Sequence, residues 1–126
     1  MKFFLIAILG LLGVFCRYYV SVFVARVAPM QFPLGTFIIN IVGSFLVGVV
    51  YVVGIEKIAI PSSLSVGLLV GFLGGFTTFS SFALESVRLT EQSNYLLSGV
   101  YLFGSPVIGF LAAMGGLTLA RALLKG

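Results

Sequence analysis

The chain has no histidine and no aspartate, and its only cysteine is Cys16. One thiol excludes a disulfide within the chain, and a thiolate or imidazole metal site has nothing to build on. The acidic residues number three, all glutamate: Glu56, Glu85 and Glu91. None falls at the centre of an apolar run. An intramembrane hydrolase needs a nucleophile with a base, paired carboxylates or a metal. Those parts are missing, so no enzyme is expected. Redox cofactors lack ligands for the same reason. A proton-coupled transporter usually carries a carboxylate at mid-membrane, and none stands there. The only deep ionisable residue is a cation, Arg17, which favours an anion as substrate.

Charge of any sign is scarce. Of 126 residues, 8% are charged and 60% are hydrophobic, and mean hydropathy is +1.26. These values place the chain in the membrane class. The expected fold is an all-α membrane protein with four transmembrane helices in one domain, at roughly 2–26, 34–55, 62–88 and 95–121. Nothing remains for a soluble domain. The net charge of +4 is spread along the chain, so no nucleic-acid partner is expected. Met1-Lys2 and the apolar run to Cys16 look like a signal peptide, but a cleavage site needs small residues. Val14-Phe15 before Cys16 spoils both that reading and a lipoprotein one. The run is read as the first membrane helix.

The oddest filling for a span is Gly74-Gly75-Phe76-Thr77-Thr78-Phe79-Ser80-Ser81-Phe82. Gly in a helix interior costs about 1 kcal/mol relative to Ala. Ser and Thr bond to nearby backbone and compete with the helical ladder. The third helix is therefore expected to break near its middle, between Gly74 and Thr78. A break at membrane depth is tolerated only inside protein or beside a polar cavity. In transporters such breaks place free carbonyls and half-helix ends around ions. An ion site is the working expectation.

Other polar residues fall in stripes. Gly10, Gly13, Arg17 and Ser21 share a helical face. Arg17 costs about 2.5–3.5 kcal/mol at depth, and two readings stand: it snorkels to an interface, or it gives a vestibule positive charge. In span two, Thr36, Asn40, Gly43 or Ser44, and Gly48 share a stripe. Asn40 needs partners in hydrocarbon, as interhelical glue or as a pore-lining amide. Glu56-Lys57 are expected in a tight turn. Glu85 is read first as an interfacial residue with Arg88 as its i,i+3 partner, and second as a cavity-mouth residue. Tyr101, Ser105 and Gly109 share a face of span four, and Pro106 should kink it or free a carbonyl. Phe79 and Phe82 lie three apart, interleaved with Ser80 and Ser81. Phenyl edges carry the positive end of the ring quadrupole, so a small anion could pass ring edges, hydroxyls and the Asn40 amide without a full charge at the centre. The plain alternative is packing, or facing lipid.

The side of the termini carries Lys2, Lys57, Arg121 and Lys125 and the opposite side Arg26 and Arg88, with Arg17 assigned to neither, so the positive-inside bias is shallow. Termini in the cytoplasm suit a single orientation, and insertion both ways is consistent with the same bias. Four short, Gly-rich helices barely enclose a conduit. With no repeat between the halves, a two-fold dimer is the simplest completion.

At these residues the chain resembles the small bacterial fluoride channels called Fluc or CrcB, over essentially its full length. The resemblance rests on Gly-x-x-x-Arg-Tyr at Gly13 to Tyr18, on Gly-Thr-x-x-x-Asn-x-x-Gly-Ser-Phe at Gly35 to Phe45, and on the Gly74 to Phe82 motif. Ser81 stands where many relatives have Thr, and keeps the hydroxyl. The resemblance implies an antiparallel, dual-topology homodimer in the bacterial plasma (inner) membrane, with two fluoride pathways through the lipid bilayer. Phe79 and Phe82 become the pore phenylalanines, Asn40 the pore amide and Arg17 a vestibule residue. Thr36, Ser80, Ser81, Tyr101 and Ser105 add polar contacts along the path. A structural sodium ion would sit on the dimer axis, bound by the carbonyls of Gly74 and Thr77 from both subunits. Two competing readings are a small dual-topology multidrug-type transporter, which would need a deep Glu where Arg17 stands, and a non-transporting membrane assembly subunit.

Overall fold

A computed structural model describes residues 1–125. In lipid every backbone polar group must be satisfied within the chain, and the long uncharged runs do this as helices. Four helices are long and apolar enough to cross a membrane: span one Lys2–Val27, span two Leu34–Lys57, span three Ser62–Glu91 and span four Tyr95–Leu123. Each ends slightly beyond the last residue expected from sequence. No strand occurs among the described residues, so the protein is an all-helical, multi-pass membrane protein.

Prolines punctuate the spans. Pro33 stands just before span two, and Pro61, at φ −49° and ψ 135°, just before span three. Each is placed where a missing N–H costs nothing. Glu56 and Lys57, expected in the turn, instead close span two. Arg121 at the end of span four pairs with Glu56 through two guanidinium nitrogens, which holds the last helical turn in place. The turn falls at 58–61, with Ala59 at φ 51°. Wide i to i+5 turns run over Val52–Lys57 and Gly67–Leu73. Span four remains helical across Pro106, with one ladder donor missing there.

Small residues set the helix pairings. Span one packs on the first part of span three, and span two packs on span four. A methyl on Gly13 would run into the Phe72 carbonyl and the Phe76 N–H, and one on Gly75 would stand 2.6 Å from the Gly10 carbonyl. Gly48 faces the Ala113 carbonyl and Gly116 the Phe45 carbonyl at similarly short range. Backbones this close are the usual way membrane helices gain packing without a hydrophobic drive between them. A buried cluster of Phe82, Leu89 and Tyr101, flanked by Phe32, Phe37 and Leu97, ties the second part of span three to spans two and four.

Candidate functional site

The site is built around two residues. Helical backbone runs through Gly74–Phe76; Thr77 (φ −79°, ψ 157°) and Thr78 (φ −149°, ψ 117°) are extended; helix resumes at Phe79. The hydroxyls explain how this is held locally. Thr77 donates both its N–H (3.0 Å) and its hydroxyl (2.8 Å) to the Leu73 carbonyl, closing the first half. The Thr78 hydroxyl accepts from the Ser81 N–H at 3.3 Å and donates to the Ser81 hydroxyl at 3.1 Å. Thr78 thus caps the second half, the role for which Thr suits an N-cap.

Neighbouring spans complete the arrangement. Asn40 of span two accepts from the Thr78 N–H at 2.8 Å and donates to the Thr78 carbonyl at 2.9 Å. Its amide does for Thr78 what a neighbouring strand would do. Arg17 of span one donates from Nε to the Gly75 carbonyl at 3.0 Å. Gly43 leaves the space that the Thr77 methyl fills. Among the described residues no N–H donates to the carbonyls of Gly74 or Thr77. Oxygens freed in this way are the donor type that broken helices offer a hard cation such as sodium. The residues present fit such an ion.

Beyond the interruption lie the phenylalanines. Phe79 is 79% exposed in the single chain, whereas Phe82 is 6% exposed. Their ring centroids are 5.7 Å apart, tilted by 50°, and Phe82 lies 5.0 Å from the Tyr101 ring. Tyr101 is fully buried, with Phe32 edge-on at 5.3 Å. Its hydroxyl and that of Ser105, one turn on, are buried and lack a hydrogen-bond partner. An unpaired buried hydroxyl costs about 1–3 kcal/mol; the Tyr101 side chain lies beside Thr36 and Glu85, whereas Ser105 borders a groove and has room there for an acceptor. A groove of about 370 Å³ runs past Asn40, Ser44, Phe79, Phe82 and Ser105. A second, of about 340 Å³, runs past Asn40, Ser44, Gly74, Thr77 and Phe79.

The structure therefore gathers Asn40, Phe79, Phe82 and Ser105 on one groove, with Tyr101 against Phe82. Ser81 joins them through Thr78. Ser80 is exposed and lines neither groove. Arg17 lies on the other side of the interruption, at Gly75, and lines neither groove. Thr36 is buried and donates to the Glu85 carboxylate at 2.6 Å. That corrects the expected Glu85–Arg88 pairing, since no such ion pair forms among the described residues. Arg88 is exposed, while Glu85 turns inward, where Thr36 offers a donor less hydrated than the surface does. The signal that could have found this was the depth shared by Thr36 and Glu85, each one turn from a motif residue.

Taken together, these features define a small multi-pass membrane protein with a polar, phenyl-walled groove beside a gap in its third span. The chain belongs to the CrcB family: the family model described as "CrcB-like protein, Camphor Resistance (CrcB)" matches residues 4–117. A protein of Citrifermentans bemidjiense named "Fluoride-specific ion channel FluC" is 42% identical over 118 residues, covering 94% of this chain and 95% of that one. A protein of the same name from Geotalea daltonii is 40% identical over 116 residues, covering 92% and 94%. Another from Hydrogenobaculum sp. is 41% identical over 111 residues, covering 88% and 90%.

Proposed function

We propose that the protein is a fluoride-selective passive ion channel, not an enzyme, and that it lets cytoplasmic fluoride leave the cell. The observation that carries this is near full-length identity of about two residues in five to proteins named as fluoride-specific ion channels. The local chemistry agrees with it. The buried Ser105 hydroxyl, which has no partner, the Asn40 amide and a pair of phenyl rings line one groove, which suits a small, strongly accepting anion. Hydrogen fluoride crosses a bilayer neutral and dissociates in a less acidic cytoplasm, trapping fluoride. An inside-negative potential then drives the anion out through a passive path, by about 2.3 kcal/mol per charge per 100 mV.

The assembly we propose is an antiparallel, dual-topology homodimer in the bacterial inner membrane. Its support is the open face around the interruption, where Gly74, Phe79 and Ser80 are exposed in the single chain. A break in a span needs protein cover at that depth, and a second copy supplies it. The fluoride path is assigned to Phe79, Phe82, Tyr101 and Ser105, with Thr36, Ser80 and Ser81 as outer polar contacts; Asn40 and Arg17 border it at the interruption. A sodium ion held by the Gly74 and Thr77 carbonyls of both subunits would fix the two copies together and offset the repulsion of nearby anions.

Expression in bacteria that lack a fluoride exporter tests the reading. Growth should be restored on fluoride and unchanged on cationic drugs. Drug resistance without fluoride resistance would overturn it in favour of a multidrug-type transporter.

A further inference from the structure

Arg17 and Asn40 come from different spans, yet both direct their polar atoms at the backbone of the interruption. Arg17 grips the Gly75 carbonyl. Asn40 grips both polar groups of Thr78. The two contacts flank Phe76 and Thr77, so the stretch is held from both ends. A trans peptide is planar, with its N–H and C=O pointing opposite ways. The Thr78 N–H and the Thr77 carbonyl share one such plane. By accepting from that N–H, Asn40 turns the Thr77 carbonyl away from itself. Arg17 fixes the plane after Gly75 and so restrains the neighbouring plane that carries the Gly74 carbonyl. Those two carbonyls are the ones no N–H uses.

We propose that Asn40 and Arg17 are positioning residues for a cation site: they hold the Gly74 and Thr77 carbonyls in a preformed set of oxygens for a hard monovalent cation, rather than serving the permeating anion by contact. This rests on the sodium site inferred above. Arg17 also keeps the Gly75 carbonyl out of that set. Rigid ligands bind more tightly because less ordering is needed at binding. Loosening the grip should therefore weaken sodium binding first and anion flux only through it.

The test uses the purified full chain with Asn40→Ala and Arg17→Lys. Lys keeps the charge but loses the planar Nε donor. The melting temperature and the fluoride efflux from liposomes are each followed across a sodium series, with N-methylglucamine holding ionic strength constant. The wild type should melt higher as sodium rises. In each variant the half-effective sodium should rise about tenfold, the loss of about one good hydrogen bond, and saturating sodium should restore flux. Variants that follow the wild-type sodium curve but lose flux at every sodium concentration would overturn the proposal and return both residues to anion contact. Arg17→Lys carries the test if Asn40→Ala does not fold. Wild-type flux without any sodium response would overturn the cation site and this proposal together while sparing the channel. Wild type without flux would overturn the channel reading instead.

Discussion

Gly74 and Gly75 are adjacent, but their surroundings differ, and substituting each in turn separates two roles. A Cβ on Gly75 would stand 2.6 Å from the Gly10 carbonyl oxygen and 3.4 Å from the Gly10 Cα. The obstacle is helix backbone, which cannot rotate aside. Restoring ordinary contact at 3.4 Å from 2.6 Å means parting spans one and three by about 0.8 Å. Gly75→Val adds two further methyls in the same place. Overpacking of this kind costs about 1–3 kcal/mol, and the gain in helix propensity over Gly, about 0.4 kcal/mol, offsets little of it. A net loss of about 1–3 kcal/mol is expected. Gly74 is the control: its nearest obstacle is the Leu69 carbonyl at 3.8 Å. Within the single chain Gly74→Ala should be neutral or slightly stabilising, by up to about 1 kcal/mol. Any loss of dimer in Gly74→Ala would therefore come from what lies across the open face. Unfolding in mixed micelles along an SDS titration measures both variants, and chromatography in mild detergent reports assembly. A Gly75→Val protein with the wild-type midpoint would refute the close span one to span three contact.

Phe82→Ile keeps an apolar side chain in the buried cluster but removes the ring between Phe79 and Tyr101. Fluoride efflux should fall at least tenfold with assembly intact; unchanged efflux counts against ring edges along the path. Tyr101→Phe deletes a buried hydroxyl that has no partner, so the protein should be as stable or up to about 1–3 kcal/mol more stable, while efflux drops. Lower stability with normal efflux would make the hydroxyl a packing element. Thr36→Val removes the donor to Glu85 and should cost about 1 kcal/mol, the scale of such bonds in membranes; a midpoint equal to wild type in the same titration would show that Glu85 is satisfied elsewhere.

The helical class and the four spans were legible because the apolar runs are long; prolines separate the first three, and the polar run Glu91 to Asn94 separates the last two. Around the extended Thr77 and Thr78 the residue types fit the local geometry: Gly75 permits the approach of span one, and the hydroxyls that follow end one helical stretch and cap the next. What the sequence hid was the use of each polar group. Asn40 read as glue first and as pore lining second, and in the structure its amide holds both polar groups of Thr78 while still bordering two grooves. Arg17 read as snorkelling or as a vestibule charge, and its Nε meets the Gly75 carbonyl 58 positions away. Spacing along a helix names the face a side chain shares, but not the backbone it meets on another span. Glu85 failed for the same reason: Arg88 was near in sequence, and Thr36 was near in space.

Fluoride release from liposomes carrying the purified protein, read with a fluoride electrode under a potassium–valinomycin clamp, tests the central claim most directly. Chloride release from matched liposomes is the control. Rapid fluoride release with chloride retained is the expected result. Well-folded protein in sodium that releases neither ion, or releases both alike, would contradict a fluoride-selective channel.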